Sequence, residues 1–426
     1  MTKRVLMISW YFYPCNRTAV HRPAGFARHL PKFGWEPTVL CIDWSRDDST
    51  DIPRWHNDPA LAGADPCKVV RVPYDTTQGR RRFTNPVLLL AASWWSMMPW
   101  KPLYPPAGYT ALLNAARQRL EQGQFDVIWA TSPPPVPHAV AATLSGAYGI
   151  PWVADLRDIP DELASGLPFP LSLPELIARV RRVRAEIATC SAARALVTVS
   201  QPLADRLASR HRAPVFVIPN AFEPDMFQQR RGHHADEFTI VYCGTFLAGL
   251  REPGILLDAL DVLAREGHNA FPKLSVRFYG PHAAFLRKRL RGRPCAKFVT
   301  VGPVVSHHEA IRMEQEACVL LFVSTVKGKG IMTSKVFEYL GAGRPILAVP
   351  GDGDVTDAVI RETGAGVIAR SVPEVISALT AWYREWEQTG TVRYAGNAAV
   401  IGQYTREKQT ARLAQIFDEI CRTGPR

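Results

Sequence analysis

Between residues 328 and 345 the chain reads Gly328-Lys329-Gly330-Ile331-Met332-Thr333-Ser334-Lys335-Val336-Phe337-Glu338-Tyr339-Leu340-Gly341-Ala342-Gly343-Arg344-Pro345. Glycines followed by Thr333-Ser334 predict a helix opening near Thr333, and Gly343 two residues before Pro345 predicts its end. The first amides of such a helix have no partner inside it, and together with the positive end of the helix dipole they suit a phosphate. Lys335 falls in the first turn, the unfavourable end of the dipole for a cation, and a bound anion would compensate. Glu338, about one turn later, is placed to accept hydrogen bonds from a ribose diol. The plain alternative is a glycine-capped helix with a solvated Lys and Glu on its surface.

Such a loop needs a strand before it and a sheet beneath it. Strand candidates in the first half are 5–9, 38–42, 69–72, 126–130, 152–154, 196–199 and 215–218; in the second half they are 239–243, 274–279, 298–301, 319–323, 346–349 and 366–369. Between most neighbours lie stretches with apolar residues three and four apart, such as Ile255-Leu256-Leu257, Leu260 and Leu263. Strands alternating with helices predict βαβ units, parallel sheets and an α/β fold. The polar run around Pro219-Asn220-Ala221-Phe222-Glu223-Pro224 and 228–237 reads as a connector. Domains are expected at 1–220 and 221–396, with a last helix over 397–426 packing back toward the first. Two such domains would leave a gap at the carboxyl ends of their strands, where ligands bind in open α/β sheets, and the helix start near Thr333 is expected to face it.

The 426 residues exceed one ordinary core, and 47% hydrophobic with 21% charged residues is a globular composition. A formal net charge of +12 favours anionic partners such as nucleotide phosphates or an anionic lipid surface. Charge alone also admits nucleic acid, but no nucleic-acid module is recognisable, so none is expected as a partner. Eight cysteines without a C-x-x-C, several inside apolar runs such as Val241-Tyr242-Cys243, read as buried reduced thiols and point to the cytoplasm. The apolar start Val5-Leu6-Met7-Ile8 reads as a first strand, not a signal peptide, and the longest apolar run, 87–100, is too short to span a bilayer.

The run from Ser334 to Leu347 is followed by Asp352-Gly353-Asp354 and Glu362-Thr363-Gly364-Ala365-Gly366. Upstream stand Tyr11-Phe12-Tyr13-Pro14, Arg22-Pro23, Leu30-Pro31-Lys32-Phe33-Gly34-Trp35-Glu36-Pro37, Ala130-Thr131-Ser132-Pro133-Pro134, Asp155-Leu156-Arg157-Asp158, Val199-Ser200 and Ile218-Pro219-Asn220. In this order they span nearly the whole chain, which resembles the retaining glycosyltransferases of family 4, in a bacterial glycan-biosynthesis branch. The resemblance implies a GT-B fold: two Rossmann-like, doubly wound domains facing a central cleft. It also implies a nucleotide diphosphate sugar of UDP or GDP type, held by the C-terminal domain, as donor substrate. The acceptor, a glycan, a small molecule or a lipid-linked sugar, is implied on the N-terminal domain, and transfer proceeds without a bound metal or other cofactor.

Carried over residue by residue, Glu338 matches the second glutamate of the family's E-x7-E pair, the one on the ribose. The first would fall at Gly330, so backbone amides near Gly330, Ile331 and Met332 are expected to take over its contacts to the donor sugar. Thr333, Ser334 and Lys335 complete that side. The family's basic pair after the first strand of the C-terminal domain maps to a loop beginning Gly244-Thr245, in which only Arg251 can serve. On the N-terminal side Arg22 matches an arginine of the branch, and Arg157 with Asp158 falls near the family's histidine; these three are the expected catalytic set. His138 reads as an ordinary helix histidine. Charge developing on the departing nucleoside diphosphate is expected to fall on the helix-start amides, Lys335 and Arg251, and no protein nucleophile is assigned.

From Thr76 to Leu120 there is no acidic residue, while Arg80, Arg81, Arg82, Lys101, Arg117 and Arg119 are interleaved with Trp94, Trp95, Trp100 and Tyr104. This arm suits either an anionic membrane face, which would make the protein peripheral on the inner leaflet, or burial against the first domain. Two other readings of the whole chain remain open: another enzyme on the same fold, such as a nucleotide-sugar epimerase, and a non-catalytic nucleotide-sugar-binding protein.

Overall fold

The computed structural model describes residues 2–15, 17–44, 65–73, 106–159, 173–227, 236–246, 249–265, 271–325 and 328–422. The basic aromatic arm lies outside the described residues up to 105; beyond it, α2 (Pro106–Glu121) carries Arg117 and Arg119. The chain divides into two units, one of residues 1–219 with 407–426 and the other of residues 220–406.

In the first unit, β1 (Lys3–Ile8), β2 (Trp35–Ile42), β3 (Lys68–Val72), β4 (Val127–Ser132), β5 (Trp152–Leu156), β6 (Ala195–Thr198) and β7 (Val215–Val217) form one sheet in the order β3-β2-β1-β4-β5-β6-β7. Every adjacent pair is parallel. Between them run α1 (Thr18–His29), α2, α3 (Val136–Tyr148), α4 (Leu173–Cys190) and α5 (Gln201–Ala208). Strands β4 and β5 are buried along their whole length, as a sheet covered on both faces requires.

The second unit repeats the plan. Strands β8 (Phe238–Cys243), β9 (Leu274–Tyr279), β10 (Val299–Gly302), β11 (Val319–Phe322), β12 (Ile346–Ala348) and β13 (Gly366–Ile368) pair in parallel in the order β10-β9-β8-β11-β12-β13. The helices are α6 (Gly254–Arg265), α7 (Ala283–Leu290), α8 (His307–Glu316), α9 (Ser334–Ala342), α10 (Val355–Thr363), α11 (Val372–Thr389) and α12 (Ala398–Ile401). Alternation along β8 sorts its side chains into two cores. Phe238, Ile240 and Tyr242 pack with α6 and α11 residues such as Leu256, Leu260, Val375 and Leu379, whereas Val241 and Cys243 pack with Val336, Phe337 and Leu340 of α9. Strands β11 and β12 alternate the same way, which makes the sheet doubly wound.

The last helix, α13 (Arg406–Arg422), lies with all but its first residue in the first unit. Phe417 meets the Trp35 ring edge-on at 5.2 Å, and Lys3 pairs with Asp418 at 2.7 Å and Lys32 with Glu407 at 2.6 Å. All eight cysteines are free thiols, six of them buried. Among the described residues no helix is long and apolar enough to cross a membrane.

Candidate functional site

Both sheets reverse their winding direction beside their first strand, β1 against β4 and β8 against β11. At such a point two successive loops diverge to opposite faces and leave a crevice at the carboxyl ends of the strands. In the second unit those loops are the one after Cys243 and the one after Phe322, and they contain Gly244, Thr245, Arg251 and the 328–333 segment.

Helix α9 opens where the sequence predicts. Thr333 is its N-cap, with extended backbone and no side-chain hydrogen bond to the helix, and Gly343 closes it at φ 66°. Its first-turn amides are therefore left to another acceptor. Val336, Phe337, Tyr339 and Leu340 bury one face, so Ser334, Lys335 and Glu338 share the half-buried stripe that remains. Lys335 Nζ stands 3.4 Å from Glu314 Oε1 of α8 and 3.8 Å from Glu338 Oε2, with the Tyr339 ring centroid 5.3 Å away. Burial alone would discharge this ammonium, but Glu314 and Glu338 outweigh it and hold the lysine above its ordinary range. On the far side of Glu338, His307 Nε2 lies 3.5 Å from Oε1. Burial works against the imidazolium there, and the bond to Glu338 with the charges of Glu338 and Glu314 raises it nonetheless.

Glu314 went unassigned in the sequence because α8 reads His307-His308-Glu309-Ala310-Ile311-Arg312-Met313-Glu314-Gln315-Glu316, a polar surface helix by composition. Its one signal is spacing: His307, Ile311 and Glu314 fall at i, i+4 and i+7, a single face. That face is turned inward, leaving Glu314 1% exposed and Ile311 4% exposed. Burial pushes the Glu314 carboxyl up to about 7, against the pull of Lys335. Its Oε2 is buried without a hydrogen-bond partner among the described residues, as are Ser324 Oγ and Thr333 Oγ1. Burying such an atom unpaired costs about 1–3 kcal/mol, and the free Glu314 oxygen, on the carboxylate beside Lys335, is suited to a polar ligand.

The loop after β8 fits around Lys335. A side chain at Gly244 would come within 3.1 Å of Lys335 Cε and 3.0 Å of the Tyr242 hydroxyl. Gly244 is held by its amide on Tyr279 O at 2.9 Å, and Thr245 O accepts the Tyr242 hydroxyl at 3.0 Å. Gly280, at φ 152°, passes so close that a Cβ there would lie 2.1 Å from Gly244 O. Gly280→Ala is thus expected to displace the 244–246 loop and cost about 2 kcal/mol or more. Thermal unfolding should show the loss, and nucleotide affinity should fall with it. Arg251 reaches the other loop, donating to Thr325 Oγ1 from Nη2 at 2.7 Å. The loops after β8 and β11 are thereby tied together by a cation.

One expectation needs correction. The Gly330 amide, assigned to the donor sugar, donates instead to Asp354 Oδ2, and a single N–H so engaged is not open to a ligand. The amides of Ile331 and Met332 carry no hydrogen bond among the described residues, while Met332 O accepts from Asn220 Nδ2 at 3.2 Å.

In the first unit the expected catalytic residues occupy different surroundings. Arg22 is 1% exposed and Asp155 fully buried. Arg22 Nη2 and Nε donate to the Asp155 carboxylate at 2.7 and 3.1 Å, and Nη1 donates to Ile218 O at 2.9 Å and Pro219 O at 3.1 Å. Thr131 Oγ1 donates to Asp155 Oδ2 at 2.7 Å. With its fork filled by protein acceptors, Arg22 joins α1 to β5 and to the chain leaving β7, a structural place and not a substrate-facing one. Arg157, half-buried just beyond β5, donates to Ser132 O at 2.9 Å, Ala19 O at 3.2 Å and Pro133 O at 3.3 Å, and Asp158 beside it is exposed. Among the described residues its hydrogen bonds go to carbonyls, and burial lowers the guanidinium against the opposing charges of Asp158 and Asp155.

His138 is a core residue. Its Nε2 sits 3.1 Å from Ala130 O and 3.2 Å from Asp155 O, and burial, opposed by Asp155, pushes it down to about 4. The unfolded chain therefore takes up this proton first on acidification. His138 contributes stability in full above about pH 6.5 and loses it as pH falls toward 4, roughly 3 kcal/mol in all. Urea unfolding midpoints between pH 7 and 4 should decline along this slope, and His138→Asn should flatten it.

Residues 24–226 match the family model described as Glycosyltransferase Family 4. None of the curated proteins matches the sequence. Among solved structures, HepE of Anabaena in complex with UDP-glucose has a TM-score of 0.62 at 14% identity over 98% of this chain and 99% of that one. Sucrose-phosphate synthase from Thermosynechococcus elongatus gives 0.55 at 14% identity, covering 99% and 97%. A glycosyltransferase from Rickettsia africae gives 0.60 at 10% identity, covering 98% of each. At these identities the likeness is one of fold, and it extends over both units.

Proposed function

We propose that the chain is a family 4 glycosyltransferase, as the family match over residues 24–226 supports, and that it transfers a sugar from a nucleotide diphosphate sugar to a hydroxyl of a glycan or lipid-linked acceptor. The observation that carries this reading is the cluster at the start of α9. A half-buried lysine held charged, a glutamate one turn on and uncapped amides converge at the switch point of the second sheet. The lysine and amides offer charge to a diphosphate, and Glu338 offers a carboxylate to a ribose diol. The UDP-glucose complex of HepE supports UDP as the nucleotide here.

In the mechanism, the bond between sugar and diphosphate loosens as negative charge gathers on the leaving phosphate. Lys335, the α9 amides and Arg251 are preorganised to receive that charge, so their contribution grows toward the transition state. Because these cations meet the phosphates directly, transfer is proposed to proceed without a metal ion. Arg157, at the end of β5, supplies positive charge on the acceptor-binding unit, with Asp158 beside it. The family resemblance supports retention of configuration. Incubation with a panel of UDP- and GDP-hexoses, first for thermal stabilisation and then for sugar transfer to glycan and lipid-linked acceptors, tests the proposal. Stabilisation with transfer and a retained anomeric signal is expected. Stabilisation without donor consumption would make the chain a binding protein.

A further inference from the structure

Asp354 occupies the N-cap position of α10, where an aspartate ordinarily accepts from its own helix. Here its side chain makes no such bond. Asp352 takes over the task, its Oδ1 accepting from the amides of Asp354 at 2.8 Å and Asp357 at 3.1 Å and its Oδ2 from Thr356 at 3.0 Å. The turn is fixed from below as well. The fully buried Asp357 accepts from the amides of Asp352 and Gly353 and from Arg370 Nη2 at 2.8 Å. Released from capping, the Asp354 carboxylate turns to the glycine loop and takes the Gly330 amide on Oδ2. Its Oδ1 accepts no hydrogen bond among the described residues, and the residue is half-buried.

Gly330 has no side chain and lies at φ 84°, so at this one position the loop offers backbone alone. Gly330 precedes the N-cap Thr333 by three residues, a span of at most about 10 Å. A diphosphate at the start of α9 therefore carries its sugar within reach of this carboxylate. We propose that Asp354, delivered from the following βα turn, is the residue through which the site recognises hydroxyls of the donor sugar and so selects among donors. The inference rests on the donor-site reading above. A carboxylate held by a backbone amide on one oxygen and open on the other accepts a hydroxyl strongly, and it discriminates against epimers that move the hydroxyl away.

Asp354→Asn separates this role from support of the loop, because the amide oxygen still accepts from Gly330 while the opposite corner changes from acceptor to donor. UDP, GDP and a panel of their hexose conjugates are titrated against both proteins, and kcat/KM is measured for the preferred donor. The inference predicts a nucleoside diphosphate affinity unchanged within about twofold, a kcat/KM lower by about tenfold to a hundredfold, and a flattened preference among epimeric sugars. Asp354→Glu should recover part of the loss. Equal weakening of the free diphosphate and its sugar conjugate would reduce Asp354 to a loop support and overturn the inference, as would an unaltered preference among epimers. If the unaltered chain binds no nucleoside diphosphate, the donor-site reading itself falls, and this inference falls with it.

Discussion

Lys335→Met is expected to lower kcat/KM about a hundredfold or more, since a donor aimed at developing charge in a preorganised site is worth about 3–4 kcal/mol. The single substitution has a second effect that must be separated from the first. It leaves Glu314 buried beside Glu338 without its cation, and Glu314, already inclined to hold a proton, becomes neutral at pH 7. Some stability is lost in the process. The double variant Lys335→Met/Glu314→Gln removes the charge from both sides and should melt closer to the unaltered protein. Its activity should stay low. Recovery of stability without recovery of transfer identifies Lys335 as a group that meets the donor. Recovery of both would mean that the lysine serves only to neutralise Glu314. Comparison of melting temperatures and kcat/KM across the four proteins of this cycle decides between these outcomes.

The second large effect lies in the other unit. Arg22→Met is expected to destabilise the protein by about 3–5 kcal/mol, because it strands a buried carboxylate with no compensating charge. Asp155 is fully buried, and Thr131 Oγ1 would remain its one side-chain donor among the contacts described. The carbonyls of Ile218 and Pro219 lose their partner in the same step. Arg22→Met/Asp155→Leu should recover much of the deficit, as an apolar pair of similar volume does not need solvation. A fall in unfolding midpoint confined to the single variants supports an anchoring role. Were Arg22 instead a substrate-facing cation, Arg22→Met would fold normally and fail only in transfer.

The fold was written in the sequence by apolar periodicity, and each of the strand runs read from it is a strand within a few residues. Burial on both faces makes such runs conspicuous, as in Val319-Leu320-Leu321-Phe322, because neither side of the strand needs a polar residue. Helix α9 was legible for the same kind of reason, through its glycine cap and its N-cap Thr333. What the pattern hides is which polar residue turns inward. Glu314 has the composition of a surface helix around it and is buried only because α8 packs against α9 and the second sheet. Asp354 sits where aspartates cap helices, and only the rival capping by Asp352 frees it. Arg22 looked available because a sequence does not reveal the aspartate 133 residues away that occupies it. For Glu314 and Arg22 the deciding contact lies far along the chain, whereas for Asp354 it is the neighbouring Asp352, and the sequence does not show which of two aspartates caps the helix.

The central claim is that α9 and Glu338 hold the nucleotide of a diphosphate sugar, and titration calorimetry of UDP and 2′-deoxy-UDP against the unaltered protein and Glu338→Gln tests it most directly. The account predicts that removing the 2′-hydroxyl weakens binding to the unaltered protein by about tenfold or more, a charge-assisted hydrogen bond being worth about 1.5–3 kcal/mol. The same removal should cost Glu338→Gln much less, since the partner has already been weakened. If the two nucleotides bind the unaltered protein equally, or if Glu338→Gln discriminates between them as well as its parent does, Glu338 does not hold the ribose and the donor site has been misplaced.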